Sequence, residues 1–165
     1  MIDVRFATAL QVMLSLALAQ AEGVERLSSA QLAEGVGSNP TFVRRLLVPL
    51  IQAGLVRSAM GRDGGLSLGV DAAAITLGEI YKATMGDKSL WTGRSDIPHR
   101  CLVTRNVERF FGNLAGEVDK SVLCLLGKQT LADALSELRT LDAGHVRKKP
   151  SPTPRDRRGR QRPST

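Results

Sequence analysis

The stretch from Ser28 to Gly69 constrains this chain more than any other, because its turn residues fix the order of the elements around them. Ser28 or Ser29 can cap a short helix with Leu32, Ala33 and Val36 on one face. Gly37, Ser38 and Asn39 break it. Asn39 is then a good N-cap for a second helix, and Pro40 falls at the first helical position, where its missing N–H costs nothing. Phe42, Val43, Leu46, Leu47, Leu50 and Ile51 recur at the spacing of one buried face. Pro49 predicts a kink or strained turn inside this helix, and Gly54 ends it. Leu55 to Met60 and Leu66 to Val70 have strand character, with a flexible tip from Gly61 to Gly65 between them. The order is helix, turn, helix, two-stranded wing.

A helix-turn-helix places its second helix in the major groove of DNA, with residues near that helix's N-terminus meeting base edges. Thr41, Arg44 and Arg45 are the right residue types for that work, and Arg57 and Arg62 on the wing suit phosphate or minor-groove contact. The bland alternative is a winged helix that binds other proteins, with the arginine pair as a solvated face.

The formal charge of +7 is a property of the tail. From Gly144 onward there are eight Lys or Arg and one Asp, whereas residues 1–143 hold 15 basic and 15 acidic side chains and sum to zero. A DNA footprint on the folded part must therefore come from local clustering. Hydrophobic content of 42% suffices for a core, and aromatic content of 4% makes that core aliphatic. Two cysteines, Cys101 and Cys124, are too few for a disulfide framework, so reduced thiols in a cytoplasmic protein are the expectation. No run reaches the roughly 18 apolar residues of a transmembrane helix.

Arg5 to Ala21 is apolar on nearly every side. It reads either as a secretory signal with a small-residue cleavage site or as a buried central helix. The buried helix is favoured, because a helix-turn-helix needs a third helix behind it and Gln11 and Ser15 mark a narrow polar stripe. Glu22 to Leu27 reads as a loop. Thr76 with Glu79 three residues later makes a capping box for a helix that Gly86 stops. Lys88 to Arg100 is irregular. Thr104 can cap a helix running to Leu126, on which Val107, Phe110, Phe111, Leu114, Val118, Val122, Leu125 and Leu126 form one stripe over about 20 residues. That stripe exceeds what a small winged helix can cover, which predicts a dimerisation helix. The alternative is a helix packed only on its own domain. Thr130 to Leu141 predicts a further short helix, and the Pro-, Ser- and Arg-rich segment from Ala143 predicts disorder. That tail either holds DNA non-specifically through counterion release or merely solubilises the chain.

Ala53-Gly54-Leu55-Val56 with Ser58, Gly61, Gly64, Gly65 and Leu68, followed by Ile75-Thr76-Leu77-Gly78-Glu79-Ile80, resembles the Rrf2 family of bacterial transcription regulators over roughly residues 1–141. The resemblance implies a mainly α winged helix-turn-helix with a long C-terminal dimerisation helix. It further implies operator binding as a homodimer, usually as a repressor. By position, Asn39, Thr41 and Arg44 match the family's base-reading and phosphate-contacting sites. Two departures touch the wing: the arginine common before the first glycine is Met60 here, with Arg62 two residues on, and the aromatic after the glycine pair is Leu66.

Many members of the family resemble one another in three clustered cysteines that hold an iron–sulfur cluster. Cys101 stands alone in that region, and Cys124 lies 23 residues away, so the expectation is a protein without cofactor or metal. Cys124, near the stripe, reads as a structural cysteine. The Cys101-Leu102-Val103 pattern with Asn106 and Val107 resembles the cluster-free branch. A cysteine at a helix start, beside Arg100, Arg105 and His99, is a candidate sensor of oxidants or electrophiles. The alternative is a cysteine packed at the dimer seam.

The resulting organisation is a DNA-binding domain at 1–86, a sensor-type loop at 87–103, dimerisation helices at 104–142 and a basic tail at 143–165. The function expected is a cytoplasmic, homodimeric, sequence-specific DNA-binding regulator without membrane contact. The competing reading is a winged-helix module for protein or RNA. No carboxylate pair, His-rich metal spacing or phosphate-cradling glycine loop points to an enzyme.

Overall fold

The computed structural model describes residues 3–61, 64–86, 91, 94, 96 and 101–146, with side chains described as far as Gly144. Six helices and one hairpin follow in the order α1 (Arg5–Ala21), α2 (Ser29–Gly35), α3 (Pro40–Gln52), β1 (Val56–Ala59), β2 (Gly65–Leu68), a 3-10 turn at Ala72–Ala74, α4 (Leu77–Met85), α5 (Leu102–Leu126) and α6 (Leu131–Val146). This is the mainly α winged helix that the sequence predicts. Arg62 and His99 lie outside the described residues, as do 87–90 and the tail beyond 146.

The apolar first helix is the centre of the core. Ala9, Val12, Met13, Leu16 and Ala17 of α1 are buried, and α1 packs against α2, α3, α4, α6 and β2. An element with neighbours on so many sides needs a nearly continuous apolar surface. Its one polar stripe is where the sequence puts it: Gln11 is exposed, and the Ser15 hydroxyl donates to the Gln11 carbonyl at 2.9 Å.

The hairpin is antiparallel, with Val56 opposite Leu68 and Ala59 opposite Gly65. Its inward residues Val56, Leu66 and Leu68 join the core; alternation turns Arg57 outwards, and Ser58, on the Val56 side of the strand, is exposed as well. Leu27, expected in a loop, pairs with Leu66 instead: their backbone N–H groups and carbonyls exchange bonds of 3.0 and 2.8 Å. That isolated bridge carries no hydrophobic period, so nothing in the order of residues announces it.

α3 runs through Pro49 to Gln52 as one helix, so no turn interrupts it. The proline removes one backbone donor, while Val43, Leu46, Leu47 and Leu50 bury the face that holds the helix in place. Phe42 is only half-buried and Ile51 is exposed, which narrows the buried face read from the sequence.

α4 begins at the predicted box, with Thr76 Oγ1 accepting from the Glu79 N–H at 3.2 Å and Glu79 Oε2 accepting from the Thr76 N–H at 2.7 Å. α6 repeats the device with Thr130 and Asp133. The two helix starts are joined: the Leu77 N–H donates to the Gln129 carbonyl at 3.0 Å, and the Leu131 N–H to the Ile75 carbonyl at 2.8 Å. Gly78 lies against Gly127 so closely that a Cβ there would stand 3.2 Å from the Gly127 nitrogen. Of the two helices grouped at 104–142, α6 thus returns to the head, the winged helix formed by α1 to α4 and the hairpin, where Leu131 and Leu135 are buried in the same core as Ile75, Leu77 and Ile80. Residues 143–146, which composition assigns to the tail, continue α6.

α5 starts at Leu102, two residues before the predicted cap, and is 25 residues long. Its apolar stripe is divided. Val107, Phe111, Ala115, Val118, Val122 and Leu126 are buried or half-buried, and α5 packs on α4. Along the other edge of the stripe Val103, Phe110, Leu114 and Leu125 stay exposed, Phe110 at 68% and Leu125 at 66%.

Candidate nucleic-acid interface

The putting-together of the interface starts with two caps. Ser28 and Gln31 close a capping box at α2, with bonds of 2.8 and 3.1 Å. At α3 the Asn39 side-chain oxygen accepts from the Thr41 N–H at 2.8 Å. Asn39, matched by resemblance to a DNA-contacting position, therefore also fixes where α3 begins. Its amide nitrogen is the part of the side chain left to meet a ligand.

Thr41, Arg44, Arg45 and Val48 are all exposed, and their spacing of three and four residues puts them on one face of α3, away from buried Val43, Leu46, Leu47 and Leu50. Arg44 Nε lies 3.5 Å from Ser29 Oγ, a long contact that leans the guanidinium towards α2 without holding it. Among the described residues neither Arg44, Arg45 nor Arg57 enters an ion pair; the recorded pairs are Arg5 with Asp3 and Arg94 with Asp96.

Between α3 and the wing runs an open groove of about 410 Å³, lined by Ser28, Ser29, Arg44, Ile51, Ser58 and Gly61 among others. Arg57 is exposed on β1, opposite Ser67. The wing's position is set by close backbone packing at its base. The Gly69 N–H donates to the Leu55 carbonyl at 2.8 Å, and a Cβ on Gly69 would overlap the Gly54 carbonyl oxygen. Gly61, at φ 107°, takes a backbone conformation that favours glycine at the wing tip. Met60 beside it is almost wholly exposed.

Val48 is the residue of this face that sequence reasoning missed. It belongs to neither the basic nor the buried apolar set. Its distance of seven residues from Thr41 was the available signal.

The sensor candidate is a helix cap. Cys101 is exposed and occupies the N-cap of α5, where its N–H donates to Thr104 Oγ1 at 3.0 Å and the Thr104 hydroxyl lies 3.5 Å from the sulfur. Its pKa is lowered from the ordinary thiol value, first by the backbone N–H of Thr104, then by that residue's hydroxyl and by the backbone of Val103. Thr104, expected as the cap, is instead the partner that reaches back to it. Trp91 meets Phe111 of α5 with ring centroids 6.3 Å apart. Cys124, expected as a structural cysteine, is exposed rather than packed in the core. Among the described residues no three His, Cys, Asp or Glu side chains come together as metal ligands, and no helix is long and apolar enough to cross a membrane.

Comparison with known proteins gives one consistent answer. The profile of the Rrf2 family, described as an iron-dependent transcriptional regulator, matches residues 2–137. YwnA of Bacillus subtilis, provisionally named an HTH-type transcriptional regulator, is 27% identical over 138 residues, covering 84% of this chain and 99% of its own. The HTH-type transcriptional regulator IscR of Photobacterium profundum is 31% identical over 159 residues, covering 88% and 91%. Among solved structures, CymR of B. subtilis, titled a global cysteine regulator, superposes with a TM-score of 0.59 at 26% identity, covering 83% of this chain and 97% of that one.

Proposed function

The chain belongs to the Rrf2 family of DNA-binding transcriptional regulators, and from that premise we propose that it binds an operator as a homodimer and represses transcription there. The observation that carries the reading is the capped start of α3, which presents Thr41, Arg44 and Arg45 side by side to solvent. In this reading those three side chains enter the major groove, Asn39 sets their register, and Arg57 and Arg62 hold the flanking backbone. The dimer is supported by the uncovered edge of the α5 stripe, since apolar side chains repeated along 25 residues of helix are best buried against a second copy. A dimer presents two α3 helices, which suits two half-sites one helical turn or a multiple of it apart.

The test is a salt titration against duplex selected from random sequence and against unselected duplex. Operator binding predicts a selected site that the protein prefers at every salt concentration. Equal affinity for both would instead favour the protein- or RNA-binding module.

The same reading takes the protein as cytoplasmic and free of an iron–sulfur cluster. The donor set supports the latter: the whole chain has two thiols, one at the start of α5 and one 23 residues along it. Protein purified without air is expected to lack charge-transfer absorption above 300 nm. Cys101 then serves as the sensor. Its thiolate attacks hydrogen peroxide, breaking the O–O bond to give a sulfenic acid and hydroxide, and condensation with the thiol of a second copy's Cys101 gives a disulfide and water. Cys101→Ser is expected to keep operator affinity and lose the response to a mild oxidant. An unchanged oxidant response would remove Cys101 from the mechanism.

A further inference from the structure

We propose that Val48 reads the 5-methyl group of a thymine in the operator. The inference rests on operator binding through α3 and adds a base to it. Val48 is 52% exposed, although it is a β-branched aliphatic residue in the middle of a helix. Neither helix propensity nor the core asks for it there: an unbranched or polar side chain would suit a solvent-facing helical position better, and the buried face is filled by Val43, Leu46, Leu47 and Leu50.

Its place explains it. Val48 stands three residues after Arg45 and four after Arg44, so it continues the Thr41, Arg44, Arg45 face by one turn. A helix laid in the major groove presents residues at such spacings to successive base pairs. In that groove the thymine methyl is the one apolar feature on a base edge, and it is met by apolar side chains. The basic side chains cannot recognise it. With one stiff χ1 rotamer, valine holds its two methyls in place before binding, so little conformational freedom is lost on contact.

The experiment uses the full-length protein and an operator duplex selected from random sequence. Each thymine is replaced in turn by deoxyuridine, which deletes only the methyl. In the wild type, one thymine position per half-site is expected to show a loss of about 4-fold per half-site, the value of one buried methyl group. Val48→Ala is expected to bind the thymine operator correspondingly more weakly and to be indifferent to uridine at that position alone. The alanine raises helix propensity at a half-exposed position, and circular dichroism checks that the fold is kept.

If the wild type prefers its operator but no uridine substitution weakens binding, the proposal is overturned while operator binding stands. If Val48→Ala still senses the same uridine as strongly as the wild type, the methyl is read by another residue and the proposal again fails. If no operator can be selected at all, the failure lies with the reading on which it rests.

Discussion

Cys101 stands at the N-cap of α5, and the backbone N–H groups of that first turn, with the Thr104 hydroxyl, favour its thiolate. The sign of the consequence is fixed: a thiol pKa below the ordinary value means that the reactive thiolate is already present at lower pH. In a Cys124→Ser background, alkylation by iodoacetamide should therefore reach half its maximal rate at a lower pH in the folded protein than in urea. Thr104→Val, which removes the hydroxyl contact but not the backbone N–H, should move that profile part of the way back. Asn39 is likewise a positioning residue before it is a contact. Asn39→Ala should cost about 1 kcal/mol of stability, read by denaturant titration, and Asn39→Asp should restore it while weakening DNA binding by placing a carboxylate next to phosphates.

At the level of the element, α5 and α6 look alike in the sequence and differ in the structure. Both are amphipathic, but α6 is tied to the head by the Thr76–Thr130 bridge and buries Leu131 completely, while α5 gives only half of its stripe to α4. The two should respond differently to substitution. Leu131→Ala should destabilise the fold by roughly 2–5 kcal/mol, the usual range for a leucine lost from a close-packed site. Phe110→Asp should leave the thermal transition of the isolated protomer nearly unchanged but give a monomer in sedimentation equilibrium, with weaker operator binding. A Phe110→Asp protein that remained a dimer would place the subunit contact elsewhere than on α5.

For the molecule as a whole, net charge is unevenly distributed along the chain. Residues 1–143 are electrically neutral, so under the proposed function affinity for DNA in that part would come from where Arg44, Arg45 and Arg57 stand, while a contribution from the +7 of the remainder would act without reference to sequence. Truncation after Val146 should thus lower affinity for unselected duplex and flatten its salt dependence, yet preserve the ratio between operator and unselected DNA. Loss of that ratio on truncation would mean that the tail takes part in recognition.

The turn chemistry of Ser28–Gly69 and the box at Thr76 were legible because their causes are local. An N-cap, a proline at the first helical position or a glycine at a wing tip acts through neighbouring backbone groups, so residue order alone determined the winged helix and the start of α3. The apolar Arg5–Ala21 segment was legible as a central helix for a related reason, since its surface already recorded how many neighbours it has. What residue order could not decide is which side of an apolar stripe meets which partner. The division of the α5 stripe, the return of α6 to the head, the Leu27–Leu66 bridge and the exposure of Val48 all depend on contacts between segments distant in the chain. Hydrophobic burial is non-directional, so periodicity shows that a face is to be covered, and only the packing of the whole chain selects the cover.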